Sequence, residues 1–268
     1  CFTGASSGIG EALAVTLAGR GARLILSGRN VAALRDVAAR CGAERCLVLP
    51  FEAAEFEAIP GLVEQALGFG GQIDGLVNNA GISQRSLAVE TDFSVYRRIV
   101  DVDLLAPIAL TQAVLPHMVS AGSGRIVSIS SVAGIVGSPM RSAYSAAKFG
   151  LIGYSDSVRC ENEHLGIEVH VVCPGSIRTN VSRNALNADG SRRGESDAAI
   201  DNGMPPGECA IRILAAIEGG VRELILAEGM EAHIAALRRS DPDSLFAQMS
   251  AVVKAGYAAK MAAGEEAL

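Results

Sequence analysis

Short apolar runs alternate with longer stretches of helical period along almost the whole chain, and this alternation constrains the fold more than any other feature. The runs fall at Leu24–Ser27, Cys46–Phe51, Gly75–Asn78, Arg125–Ser130, Glu168–Cys173 and Glu223–Leu226, beside a truncated one ending at Phe2. They are compact and largely apolar, the pattern of parallel strands covered on both faces. Between them, Asn30 reads as the N-cap of a helix carrying Val31, Leu34, Val37 and Ala38 and closed by Gly42. Leu104–Val119 and Ala143–Leu165 are the two longest helical stretches. Repeated strand–helix alternation predicts βαβ units, hence an α/β fold with a doubly wound parallel sheet and helices on both faces. No linker, low-complexity segment or fixed-period repeat divides the 268 residues, so one domain is expected across 1–268.

Composition narrows the function classes. With 49% hydrophobic and 19% charged residues, the chain is far from a disordered composition. Its 23 basic against 29 acidic side chains give a net charge of −6, which repels phosphate backbones and argues against coating nucleic acid. The cysteines at 1, 41, 46, 160, 173 and 209 form no C-x-x-C pair, and no histidine completes a metal-ligand spacing. Neither a metal nor a disulfide framework is therefore expected, and the thiols read as reduced, in a cytoplasmic compartment. No apolar run reaches the roughly 20 residues of a spanning helix. Ile99–Pro116 comes nearest, and Asp101 and Asp103 interrupt it, so no membrane segment is expected. The chain opens at Cys1-Phe2 and enters a glycine motif at Thr3, which implies further residues upstream, where any anchoring segment would lie.

That motif, Thr3-Gly4-Ala5-Ser6-Ser7-Gly8-Ile9-Gly10, sits between the first strand and a helix running through Leu13 and Leu17. Glycines there permit a tight turn, close approach of a pyrophosphate, and packing of helix on strand, while the helix N-terminus offers free N–H groups. Gly4, Ser6, Ser7, Gly8, Ile9 and Gly10 are therefore candidate cofactor-binding residues. At the end of the second strand, Ser27-Gly28-Arg29 lacks the carboxylate an NAD-preferring site wants; the nearest acid is Asp36, in the following helix. Arg29 offers a guanidinium suited to a 2′-phosphate, which favours NADP(H) over NAD(H). Asn78-Asn79-Ala80-Gly81 closes the fourth strand, where asparagines tolerate left-handed backbone and Gly81 lets a ligand approach.

Tyr144-Ser-Ala-Ala-Lys148 puts a phenol and an ammonium on one helix face at i and i+4, and Ser131 lies just past the fifth strand. A free tyrosine, with a pKa of about 10, is a poor base at neutral pH. A nearby Lys⁺ favours the phenolate, and Ser131 can hydrogen-bond a substrate oxygen whose charge changes during hydride transfer. Ser176–Gly207 is polar, rich in Asn, Ser, Gly and Arg, and follows a strand end; it reads as a substrate lid, with Val181, Ala185, Leu186 and Met204 available to line an apolar pocket.

In chain order the segments TGASSGIG at 3–10, NNAG at 78–81, ISSVAG at 129–134, YSAAK at 144–148 and PGSIRT at 174–179 resemble the short-chain dehydrogenase/reductase family over nearly the whole chain. The resemblance implies a Rossmann-type sheet, commonly of seven strands, and reversible hydride transfer between a nicotinamide cofactor and an alcohol or carbonyl. It implies Tyr144 as general acid/base, Lys148 as the residue that holds the nicotinamide ribose and lowers the tyrosine pKa, and Ser131 as the group polarising the substrate oxygen. It assigns Pro174, Gly175, Ile177 and Thr179 to the nicotinamide end, and Asn79, Ala80 and Gly81 to the adenosine side. The stretch from Thr179 to Ser191, with the Glu208 helix and the Arg222–Ala227 strand, is in addition similar to the dehydrogenase/reductase member 7 group, which resembles reductases of retinoids, steroids and other lipophilic carbonyls. The family's pairing of its two long helices between subunits implies a homodimer or homotetramer.

Two residues depart from the family pattern. Asp103 stands where the family usually has an asparagine that helps shape a water-linked proton path to the catalytic lysine, and Glu52 where an aspartate commonly contacts the adenine. If the Asp103 carboxylate points toward Lys148 it over-stabilises the ammonium; if it faces the helix backbone it is a near-isostere. Either way Asp103→Asn is expected to leave activity intact or raise it. Asp103 is also the one feature favouring the competing class, a cofactor-binding protein of this fold without turnover. His117, His164, His170 and His233 are scattered and read as surface or structural residues. The acidic tail Gly264–Leu268 reads as a frayed terminus, and Tyr257 and Met261 as helix packing.

Overall fold

In the computed structural model, which describes residues 1–262, the apolar runs become seven strands: β1 (Phe2–Thr3), β2 (Leu24–Gly28), β3 (Cys46–Pro50), β4 (Gly75–Asn78), β5 (Gly124–Ile129), β6 (Ile167–Pro174) and β7 (Glu223–Leu226). The acidic tail at 264–268 lies outside the described residues. All neighbouring strands are parallel, in the order β3-β2-β1-β4-β5-β6-β7, a Rossmann-type sheet within one domain. The order reverses between β1 and β4, and a crevice opens beyond the strand ends at such a switch point. Phe2 pairs with Leu26 on one side and Val77 on the other, so two residues of β1 join the halves of the sheet.

The helices are α1 (Gly8–Ala18), α2 (Val31–Cys41), α3 (Ile59–Gly70), α4 (Phe93–Val100), α5 (Ala106–Ala121), α6 (Ser142–Asn162), α7 (Ala198–Asp201), α8 (Pro206–Glu218), α9 (Gly229–Ser240), α10 (Pro242–Lys254) and α11 (Tyr257–Ala262). Leu13 of α1, Leu34 and Val37 of α2 and Ile213 of α8 bury one face of the sheet. Val63 of α3, Leu110, Val114 and Met118 of α5 and Val158 of α6 bury the other. Asn30 caps α2 as its position suggested, its side-chain oxygen accepting from the Ala33 N–H at 3.1 Å.

α4 and α5 form one helical run, Phe93–Ala121, joined through a π turn at Asp101–Leu105. By length and composition this run could cross a membrane, contrary to the expectation drawn from its two interrupting acids. Asp101 and Asp103 fall on the π turn, and Val102, Ala106, Leu110, Val114 and Met118 are core residues of the second sheet face. Burial pushes the thiols of Cys46, Cys173 and Cys209 up to about 11, 12 and 12, which keeps them protonated, and all six cysteines are free.

The segment after β6 is pinned rather than loose. Leu186 pairs with Gln84 in a parallel bridge: the Arg85 N–H donates to Leu186 O at 2.9 Å and the Leu186 N–H to Ser83 O at 2.8 Å. Asp197, 4% exposed, accepts from Arg85 Nε at 2.8 Å, forms an ion pair with Arg193, and lies 3.5 Å from Arg141. Arg193 also donates to Met261 O at 2.9 Å, and Tyr257 and Met261 of α11 are buried, as packing residues.

Burial alone raises the Asp197 carboxyl, but the three guanidiniums outweigh it and hold it below the usual carboxylate range. A depressed carboxyl stabilises the fold above its unfolded pKa, and that contribution is lost as pH falls through the lower folded value. Asp197→Asn is expected to strand Arg85 in a buried site, lower stability by about 3 kcal/mol, and open residues 180–200 to limited proteolysis. An unchanged digestion rate at neutral pH would mean that Asp197 does not hold this segment.

Candidate active site

A cleft of about 1060 Å³ opens at the switch point. One end is built by the β1–α1 loop. Ser7 caps α1 through extended backbone with no side-chain bond, leaving first-turn N–H groups without a side-chain partner. Gly8 sits at φ +61, and a Cβ there would stand 3.0 Å from Thr179 Cγ2 across the cleft. Gly4, Ser6, Ser7, Gly8 and Ile9 all line this end.

Gly10 does not line the cleft. A Cβ on it would collide with Gly4 O and stand 2.5 Å from Asn79 Nδ2, so its place is the close packing of α1 under the loop. Gly10→Ala must therefore displace backbone, and we expect it to lower stability by about 1–3 kcal/mol, read as a shift in the urea midpoint.

Thr3, which the sequence reading passed over, organises the next segment. Its hydroxyl accepts from the N–H groups of Asn79 at 2.9 Å and Ala80 at 3.0 Å, and donates to Val77 O at 3.3 Å. The Asn79 amide nitrogen donates to Thr3 O and Gly4 O, both at 3.1 Å, so its donors clamp the glycine loop. Asn79, Ala80 and Gly81 thereby line the middle of the cleft. At the mouth, Arg29 Nη1 lies 3.7 Å from Glu52 Oε2, with the Arg29 side chain 60% exposed.

Ser131, Tyr144, Lys148 and Asp103 line the same cleft, as do Pro174, Gly175, Ile177 and Thr179. Ser131 Oγ accepts from the Ala133 N–H at 3.1 Å and donates to Pro174 O at 3.4 Å. Gln84, a second residue missed in sequence, accepts from the Ala143 N–H at 2.8 Å and fixes the start of α6 beside Tyr144. One turn on, the Lys148 ammonium lies 5.6 Å from the Tyr144 ring centroid, donates to Ile129 O at 3.0 Å, and stands 3.2 Å from Asp103 Oδ2. A third missed residue, Glu231 of α9, accepts from Ser176 N–H at 2.7 Å and Ser176 Oγ at 2.9 Å, holding the Pro174–Ser176 turn. No motif marked Gln84 or Glu231; the hydroxyl of Thr3 at a strand end was the one available signal.

The Asp103 side chain is fully buried and takes the first of the two alternatives: Oδ2 faces Lys148, while Oδ1 accepts from the N–H of Ile82, in the loop after β4 rather than in the helix backbone, at 2.8 Å. Gly81 makes room for the pair, since a Cβ there would stand 2.8 Å from Asp103 Oδ2. Burial lifts the Asp103 carboxyl against the pull of Lys148. Burial pulls the Lys148 ammonium down, but Asp103 and Tyr144 together outweigh it and hold Lys148 above its ordinary value.

Of the apolar lid residues expected to line the pocket, Val181 and Leu186 do. Ala185 is fully buried behind it, and Met204 packs against the core of the first sheet face. His170, 1% exposed, is satisfied by Val221 O at 2.7 Å and Glu168 Oε2 at 3.3 Å. Among the described residues no group of three His, Cys, Asp or Glu side chains is placed to hold a metal ion. A nicotinamide dinucleotide fits the cleft on this structure's own terms: a loop whose Gly4 and Gly8 leave no room for a Cβ, and a hydroxyl, phenol and ammonium in the same cleft.

Residues 1–190 match the family model described as short chain dehydrogenase. The dehydrogenase/reductase SDR family member 7B of Bos taurus is 38% identical over 257 residues, covering 93% of this chain and 79% of the bovine protein. Among solved structures, a short-chain dehydrogenase from Streptomyces avermitilis superposes with a TM-score of 0.77 at 30% identity, covering 95% of this chain and 96% of that one. A short-chain dehydrogenase from Sphingobium yanoikuyae, solved in complex with NADPH, gives a TM-score of 0.75 at 28% identity, covering 89% and 91%.

Proposed function

Since this chain belongs to the short-chain dehydrogenase/reductase family, we propose that it is an NADP(H)-dependent oxidoreductase that interconverts a carbonyl and an alcohol, working in the cell as a reductase. The observation carrying this reading is that Ser131, Tyr144 and Lys148 line the same cleft as the glycine loop, with the Lys148 ammonium 5.6 Å from the Tyr144 ring centroid. A bound nicotinamide cofactor supplies the hydride. In reduction, the Tyr144 hydroxyl gives its proton to the substrate oxygen, and Ser131 Oγ turns its hydrogen from the long bond to Pro174 O toward that same oxygen. Lys148 keeps its charge beside Tyr144, with part of its donor set free for the cofactor ribose. Ile82, Val181, Leu186 and Ile200 give the cleft apolar walls that suit a lipophilic ketone or aldehyde. Leu105 and Phe149, each 39% exposed, stand on the long helices and suit assembly as a dimer or tetramer through them.

Arg29 at the end of β2 carries the choice of cofactor. It lines the cleft and is largely solvent-facing, and its 3.7 Å pairing with Glu52 leaves further guanidinium donors for a 2′-phosphate. The NADPH bound by the Sphingobium relative supports the same choice. Titration of NADPH and NADH against the purified protein, read by nicotinamide fluorescence, tests it; the chain has no tryptophan to interfere. A charge-assisted contact predicts NADPH binding tighter by about ten- to a hundredfold, with the difference lost in Arg29→Asp. Equal or tighter binding of NADH would defeat the assignment.

A further inference from the structure

We propose that Asp103 is a positioning residue that offsets the charge of Lys148 and so sets the pH range over which Tyr144 holds its proton; the proposal rests on the hydride-transfer reading above. Lys148 carries three N–H donors. One is taken by Ile129 O at 3.0 Å, and the ammonium pairs as an ion with Asp103 Oδ2, 3.2 Å away, an oxygen with no hydrogen-bond partner of its own. The ammonium is therefore fixed from two sides before any ligand arrives. Asp103 is itself fixed by the Ile82 N–H, and Gly81 keeps the space between them clear. The two side chains are 0% and 4% exposed, so solvent does little to screen them.

A lone ammonium beside a phenol favours the phenolate; a carboxylate 3.2 Å behind that ammonium cancels much of its field. The remaining groups around Lys148 do not restore it. From β6 comes the Cys173 thiol, which burial holds protonated, and from its own helix comes Tyr144. Tyr96 of α4 packs in the same cluster as Tyr144 with its hydroxyl bonded to Ser142, and Arg98 and Arg192 stand on the exposed part of the cleft wall. The buried counter-charge therefore keeps Tyr144 a proton donor to higher pH than Lys148 alone allows. That suits reduction, in which the phenol must start protonated.

The test uses the full chain and needs no substrate. Tyrosinate formation is followed by ultraviolet difference absorbance, and subtraction of a Tyr144→Phe background removes Tyr96, Tyr154 and Tyr257. Asp103→Asn, which keeps an acceptor for the Ile82 N–H, and Asp103→Ser are each expected to move the Tyr144 transition down by about one pH unit. The alkaline limb of carbonyl reduction is expected to follow it. An unmoved transition in a folded neutral variant would overturn the proposal. Failure of both variants to fold would also overturn it, by making Asp103 a structural pin for Ile82. Failure of the native protein to bind either nicotinamide cofactor would instead defeat the hydride-transfer reading, while leaving the tyrosinate comparison as a separate result.

Discussion

Tyr144→Phe is expected to lower carbonyl reduction by about 10²–10⁴-fold, the usual worth of a positioned general acid, with cofactor affinity little changed. The substitution removes one oxygen and leaves the ring, which packs in the cluster of Val95, Ile99, Ala143 and Leu186. The ammonium of Lys148 lies 5.6 Å from that ring and keeps its bonds to Ile129 and its pairing with Asp103. A fall in kcat with KM and nicotinamide fluorescence preserved therefore isolates the proton transfer. Activity within a few-fold of the native protein would remove Tyr144 from the chemistry and turn attention to Ser131.

Lys148→Met is expected to be the most destabilising single change at the site, by about 3–5 kcal/mol, because it strands the Asp103 charge where no water reaches it. The loss is expected to be greatest at neutral and alkaline pH. A raised carboxyl pKa is destabilising where the unfolded group would be ionised, and the deficit shrinks as acid protonates the stranded group. The double variant Asp103→Asn with Lys148→Met removes both charges and is expected to regain most of the loss. Urea unfolding of the four proteins closes the cycle. A Lys148→Met variant as stable as the native chain would mean that Asp103 is already protonated and faces the ammonium as a neutral acid. Activity cannot decide this point, since both variants lose the ammonium.

The strands at Gly75–Asn78 and Glu223–Leu226 could be read from sequence to the residue, because apolar runs bounded by Gly, Asp, Asn or Arg leave little choice of register. The glycine loop, Tyr144 and Lys148 were legible for a different reason: their spacing along one helix or one turn is local geometry. What escaped is non-local. Thr3 Oγ1 and the backbone of Asn79 meet across 76 residues, Gln84 reaches the start of α6 across 59, and Glu231 meets Ser176 across 55. α4 was missed although its pattern is strongly one-sided, with Val95 and Ile99 buried and Phe93, Arg97 and Arg98 exposed, because it spans only eight residues. The segment after β6 was legible as polar and irregular, but its anchoring was not, since Asp197 and Arg85 are separated by 112 residues. Gly10 could not be told from its neighbours in the motif, because contact with ligand and contact with chain both demand a missing side chain.

The π turn at Asp101–Leu105 acts as a phase shifter within a single rod. Upstream of it, Val95 and Ile99 face Ala143, Ala147 and Leu186 on the lid side; downstream, Leu110, Val114 and Met118 face the sheet. A regular helix advances about 100° per residue, so one extra residue in a turn re-aims everything that follows. Without it, the same 29-residue run could not present both faces to their separate neighbours. Asp103 lies at the point where the phase changes, and its inward aim at Lys148 comes with that change. Deleting any one residue from 101–105 would preserve a helix of ordinary sequence and hydropathy. It would nonetheless turn either the lid or the sheet away from its partner, so length at this point is as much a specification as side-chain identity.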